Sequence, residues 1–256
     1  MHLSDHRTKF TRAALAVSIV AFAVACSSGP DDASADEAGG IAMSMNDTTH
    51  NVLTDAERAE GWELLFDGAT TSGWRGFRQE GMPDGWQVVD GTLARVARGG
   101  DIVTERVFGD FELKLEWRVE ARGNSGVFYR VDEGVETIYH SAPEYQILDD
   151  EGHADGGSEL TSAGAIYGLY PAPRGAVKPA GEWNETRILV QGNHVQHWLN
   201  GVQTADYELY SDDWERRVRE SKFNEWPPYG RAAGGNIGLQ DHGDPVWYRN
   251  IKIRTP

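Results

Sequence analysis

Side chains able to do chemistry crowd the stretch from Asn124 to Tyr170, in three pieces, NSGVFYRVDEG, EYQILDDEGH and SAGAIYGLYP, each beside a segment patterned as a half-buried strand. In Glu144-Tyr145-Gln146-Ile147-Leu148 the two-residue period of a strand puts Glu144 and Gln146 on one face and Tyr145 and Ile147 on the other. A carboxyl and an amide presented together suit a concave sheet that holds a sugar. The spacing invites comparison with sandwich-fold glycosidases, which carry a nucleophile and an acid at alternate strand positions. That comparison fails: Gln146 cannot ionise and Asp149 has the wrong parity. Asp150 lies six residues on, about 20 Å along an extended strand, beyond the carboxyl separation of either glycosidase mechanism.

Other groups gather around this pair. Arg130 alternates with Phe128 in the preceding segment, so parity aims it into the same concavity, to hold a hydroxyl or an enolate oxygen. Its competing role is an ion pair with Asp132, Glu133 or Glu144. His153, in the Gly-rich loop 151–157, is a candidate general base or metal ligand, and His242 lies just past a strand end in Gly238-Leu239-Gln240-Asp241-His242-Gly243-Asp244. Asp149, Asp150, His153, Asp241, His242 and Asp244 offer nitrogen and oxygen ligands for a divalent cation, without the spacing of a strong metal motif. No Gly-x-Ser-x-Gly elbow and no Walker loop occur, so acyl-enzyme chemistry and a nucleotide cofactor are not expected.

The elements that must carry these groups read as strands. Phe111 to Val119 is apolar at every odd position and charged at every even one. Trp86–Asp90 turns at Asp90-Gly91 into Thr92–Val96, and His194–Leu199 turns at Asn200-Gly201 into Val202–Tyr207. Both dipeptides accept the positive φ angles of two-residue hairpins. Further strands are expected at Val127–Val131, Glu144–Leu148, Ala165–Leu169, Thr186–Val190, Ile237–Gln240 and Trp247–Ile253. The result is an all-β class, an antiparallel sandwich or jelly roll. One helix is expected near residues 211–223, with Ser211 as N-cap, acids in the first turn and Trp214, Val218 and Lys222 at four-residue spacing.

The amino terminus sets the expected location. Arg7, Lys9 and Arg12 precede an apolar run from Ala13 to Ala25, the length of a signal-peptide core and too short to span a bilayer, and Ala23-Val24-Ala25 leads to Cys26, the one cysteine of the 256 residues. Residues 1–26 read as a lipoprotein signal peptide with Cys26 acylated, 27–50 as a tether too polar and acidic to fold, and 51–256 as one domain. The membrane is then met only through the lipid. The net charge of −16 repels nucleic acid.

Trp62 to Gly68 with Ser72-Gly73-Trp74, Asn124 to Arg130, Glu144 to Asp149, Ala163 to Tyr167, Gly181 to Asn184, His197 to Gly201, and Gly238 to His242 closing on Tyr248 to Ile251 together resemble the 3-keto-disaccharide hydrolase family. The resemblance runs from Trp62 to Arg254 and implies a concanavalin-like jelly roll and export to the periplasm or cell surface. It further implies cleavage of glycosides first oxidised at C3 by a sugar 3-dehydrogenase, with lyase or hydratase outcomes in some relatives. Carried across, it gives Glu144, His153, Arg130 and His242 as catalytic and Asn124, Gln146, Tyr167 and Gln240 as sugar contacts. His153 or Glu144 would be the base, Arg130 the oxyanion partner, and His242 the acid or a ligand of a helper metal. A C3 ketone acidifies the C2 proton, so one base, one enolate stabiliser and one acid suffice, and Gln146 is no obstacle. The rival readings are a non-catalytic carbohydrate-binding lipoprotein and a structural envelope protein.

Overall fold

The computed structural model describes residues 50–256, so the leader, Cys26 and nearly all of the expected tether lie outside the described residues. Among these residues the strands form two antiparallel sheets. The larger holds β1 (Glu63–Leu64), β3 (Trp86–Val89), β4 (Thr92–Arg95), β6 (Phe111–Val119), β9 (Asn184–Gln191), β10 (His194–Leu199), β11 (Val202–Glu208) and β13 (Val246–Arg254). Its order is β11-β10-β9-β6-β13-β4-β3, with β1 on β13. The smaller holds β2 (Trp74–Gly76), β5 (Ile102–Thr104), β7 (Asn124–Val131), β8 (Glu144–Leu148) and β12 (Asn236–Leu239), in the order β2-β5-β12-β7-β8.

β6 shows why the sheets stack. Phe111, Leu113, Leu115, Trp117 and Val119 are all at most 2 % exposed, while Lys114, Glu116 and Arg118 between them stay half-buried on the other face. Each such large apolar side chain contributes about 1.5–3 kcal/mol on burial. They pack in one core with Val127, Tyr129, Tyr145, Ile147, Ile237 and Leu239 of the smaller sheet. Trp117 keeps its indole N–H satisfied by Thr186 Oγ1 at 2.9 Å. The turns Asp90-Gly91 (φ 49° and 71°) and Asn200-Gly201 (φ 50° and 81°) are left-handed at both residues, as the hairpins β3–β4 and β10–β11 require.

The smaller sheet has a second, outer face. Val103, Phe128, Val131, Ile138 and Ala142 make a separate small cluster there. Two local features shape that face. Asn236 pairs with Val131 but Gly238 pairs with Phe128, so β7 carries one extra residue, a bulge with Arg130 at φ 55°. The segment Ala165–Leu169, expected as a strand, is instead a tight turn with Gly164 (φ 84°) and Gly168 (φ 72°) at its bends. It hydrogen-bonds the free edge of β8 without extending it: Gly164 N donates to Gln146 O (2.8 Å), Gln146 N to Ala165 O (3.1 Å) and Tyr167 N to Glu144 O (3.1 Å).

The expected helix is α2 (Asp212–Glu220), begun by Ser211, whose hydroxyl accepts from Trp214 N, with Trp214 and Val218 buried. It stops at Ser221, and a 3-10 turn, Lys222–Glu225, follows. A second short helix, α1 (Asp55–Ala59), was not anticipated; Thr54 and Glu57 close a reciprocal capping box around its first turn.

Candidate active site

The outer face of the smaller sheet carries the pocket. On β8, Tyr145 and Ile147 enter the core while Glu144 and Gln146 point outward, as the period of two requires. On β7, Asn124 stands one pleat from Gly126, and Gly126 pairs with Gln146. A Cβ at Gly126 would lie 2.2 Å from Glu144 Oε1. The carboxyl of Glu144 therefore occupies the space that any other residue at 126 would fill. Gln240 and His242, just beyond β12, close one side, and Tyr167, brought in by the turn on the edge of β8, closes another. The cavity so formed measures about 210 Å³.

Two lining residues were not foreseen. Tyr139 comes from the 3-10 turn Ile138–His140, and Lys222 follows the end of α2. The ammonium of Lys222 lies 4.5 Å from the Tyr167 ring centre and 5.6 Å from that of Tyr139, so two aromatic faces hold it over the pocket. The four-residue spacing after Trp214 and Val218 had counted Lys222 as part of the helix stripe. Ser221 breaks the helix before it, and nothing in the spacing of Tyr139 marks it.

The electrostatics are set by burial. Glu144 is 6 % exposed, and desolvation pushes its carboxyl up to about 8. Lys222 pulls the other way, while Asp101 and Asp155 reinforce the rise. At neutral pH Glu144 is thus mainly a protonated acid. Around it the amide oxygens of Asn124, Gln146 and Gln240 are buried and have no hydrogen-bond partner among the described residues, although Gln146 Nε2 donates to Thr161 O at 3.3 Å. Such acceptors cost free energy when left empty and are answered by a ligand bearing several hydroxyl donors.

The remaining expected residues divide. His242 lines the pocket, its Nδ1 3.8 Å from Asp244 Oδ2, while Asp244 Oδ2 also accepts from Asn124 N at 3.2 Å. His153 stands behind it, ring centres 6.1 Å apart and edge to face. Its Nδ1 accepts the Asp155 backbone N–H at 3.1 Å, so the lone pair a base needs is engaged and Nε2 carries the proton. Arg130 is not in the pocket. The bulge reverses the parity that Phe128 would have set, and the guanidinium, 4 % exposed, donates to Gly192 O and lies 4.0 Å from Asp110 Oδ1 rather than pairing with Asp132, Glu133 or Glu144.

The six candidate metal ligands do not converge either. Asp149 Oδ2 accepts from Arg122 N (2.7 Å), Asp150 Oδ1 from Ala163 N (2.8 Å), and Asp241 is paired with Arg95 at 2.7 Å and with Gly99 and Gly100 N–H groups. Each carboxylate already accepts a backbone N–H or an arginine, and no three His, Cys, Asp or Glu side chains are grouped to hold a metal ion among the described residues.

Fold and pocket together define a two-sheet sandwich protein with a polar site on the outer face of its smaller sheet. Residues 61–254 match the model of the 3-keto-alpha-glucoside-1,2-lyase-like domain. The chain belongs to that family. It is 36% identical over 229 residues to a 3-keto-disaccharide hydrolase of Bacteroides thetaiotaomicron, covering 77% of this chain and 79% of the relative. Two solved Parabacteroides distasonis proteins, provisionally described as glycosyl hydrolases, share the fold. One has TM-score 0.74 and 36% identity over 80% of this chain and 98% of its own, the other TM-score 0.60 and 29% identity over 76% and 99%.

Proposed function

We propose that the protein is a carbohydrate-processing enzyme that cleaves glycosides whose sugar carries a ketone at C3, by loss of the C2 proton and elimination of the C1 substituent, with water adding afterwards. Family membership supports the substrate class, and one observation carries the chemistry. A buried carboxyl that keeps its proton to about pH 8 shares a small pocket with a lysine and three unpaired amide oxygens. The amides of Asn124, Gln146 and Gln240 accept the sugar hydroxyls. Lys222, not Arg130, stabilises the oxygen at C3 as it becomes an enolate. Glu144 serves as the acid: its proton goes to the departing C1 oxygen, which an alkoxide leaving group requires. This reassigns Glu144, which the resemblance offered with His153 as one of two candidates for the base.

A site of this form does not attack an unoxidised glycoside, because the C2 proton is then not acidic and Glu144 is held protonated rather than as a nucleophile. An upstream oxidation of the C3 hydroxyl, the reaction of a sugar 3-dehydrogenase, must therefore supply the substrate. The proposed setting is the cell envelope, with the chain exported through residues 1–26 and held by a lipid on Cys26. The test is aglycone release by the purified protein from a 3-keto-glucoside and from the matching glucoside. Release from the keto compound alone is expected. Binding of both with release from neither would make the protein a carbohydrate-binding module.

A further inference from the structure

The register of the smaller sheet brings a second carboxyl, one that the sequence did not single out, next to Gln240 on the rim of the pocket. Leu239 pairs with Ile102 on one side and with Val127 on the other, and Gln240 N donates to Gly126 O at 3.0 Å. Ile102 packs in the main core and Val103 in the outer cluster, so Asp101, one residue before Ile102, falls on the outer face. Across that face the order is Asp101, Gln240, Gly126, Gln146, on strands about 4.8 Å apart. Gly126 has no side chain, and Glu144 fills its place. The carboxyls of Asp101 and Glu144 are therefore separated along the row by Gln240 alone.

Asp101 is also held like a functional group. Its Oδ1 accepts the backbone N–H of Asp241 at 2.8 Å, which anchors the strand end that carries His242. The neighbouring Asp241 carboxylate is taken by Arg95, and no cation among the described residues pairs with Asp101. Asp101 is part-exposed, next in the row to Gln240, which lines the pocket, and its charge is felt by Glu144. An uncompensated carboxyl beside a binding pocket weakens the fold, and sites of catalysis are where such groups are retained.

We propose that Asp101 is the base of the reaction and forms with Glu144 the acid–base pair of the site. This rests on the reading of the substrate given above. Asp101 takes the C2 proton as the C2–H electron pair forms the enolate, with charge on the C3 oxygen beside Lys222. The enolate re-forms the ketone, the C1=C2 bond forms, and the C1–oxygen bond breaks, its electron pair taking the proton of Glu144. Water then adds across C1=C2: its oxygen bonds C1 as ionised Glu144 receives its proton, and Asp101 returns a proton to C2. Both carboxyls end as they began. The environments agree with this division. Burial raises Asp101 to about 6, with the charge of Asp241 adding and its backbone N–H opposing, whereas Glu144, facing Lys222, Gln240, Asp155 and Asp101, titrates higher. Between the two values one carboxyl is ionised and the other protonated.

The experiment compares full-length wild type with Asp101→Asn, which keeps an acceptor for Asp241 N–H but no basic oxygen. With a 3-keto-glucoside of chromogenic aglycone, kcat/KM should fall about 100-fold or more with KM little changed, and the acid-side fall of the wild-type profile near pH 6 should disappear. Carboxyl 13C NMR titration, which needs no turnover, should show two coupled midpoints in wild type and, in the variant, loss of the lower with a downward move of the upper. A variant that keeps its rate within about twofold, or an Asp101 that titrates as an ordinary carboxylate, overturns the proposal. Coupled titration in a wild type that turns over no keto-glucoside would refute the substrate reading while leaving the pair intact.

Discussion

Two buried polar clusters lie on opposite faces of the same five-stranded sheet. Between the sheets, the hydroxyls of Tyr129 and Tyr207 bond each other and Tyr129 meets His197 Nε2 at 3.2 Å; burial drives His197 down to about 3. On the outer face, burial drives Glu144 up to about 8. By shifted acidity alone the two look alike. They differ in access: the inner groups, His197 Nδ1 among them without a partner, lie inside a closed core, while the outer cluster opens to a cavity with three amide oxygens unanswered. A perturbed titratable group marks a site when the unmet hydrogen bonds around it face space that a ligand can enter.

The comparison is broken most severely at Glu144. Glu144→Gln should lower kcat/KM by 100-fold or more, since the amide cannot supply the proton. It should also stabilise the fold in a pH-dependent way. The folded pKa of Glu144 is raised, so its contribution is complete below its unfolded value near 4.5 and is lost as pH climbs to about 8. The variant should match wild type in urea unfolding at pH 4 and exceed it at pH 8 by a few kcal/mol. His197 has the opposite sign. Its neutral form is the folded one, so its contribution is present above about 6.5 and is lost as pH falls toward 3, and it should leave no mark on the activity profile near neutrality.

Next in size is Lys222→Met, expected to cut kcat by 10- to 100-fold with less than about 0.5 kcal/mol change in stability, because the side chain is exposed and its charge acts on the enolate. The smallest catalytic effect is at Arg130. Arg130→Met should cost about 1–3 kcal/mol in chemical denaturation, through the Gly192 carbonyl and Asp110 left behind, with kcat within twofold of wild type. A large loss of kcat there would restore Arg130 to the site.

Much of this was legible before any coordinates. Strict alternation over Phe111–Val119 and the Asp-Gly and Asn-Gly turns are local signals, and locality is what a sequence displays. Parity also paired Glu144 with Gln146 correctly. Three of the misses share one cause, a local pattern overridden by a neighbour. A bulge against Asn236 and Gly238 turned Arg130 away, glycines curled Ala165–Leu169 into a turn, and Ser221 ended the helix that would have kept Lys222 on its stripe. Asp101 becomes visible only through the register of β5 on β12, a contact between residues more than 130 positions apart.

The most direct measurement is the pH dependence of kcat/KM for the 3-keto-glucoside from pH 5 to 10. The account predicts a fall above about pH 8 as Glu144 loses its proton, absent from the residual activity of Glu144→Gln. A rate that rises through pH 8 would mean that Glu144 works ionised, and would contradict its role as the acid.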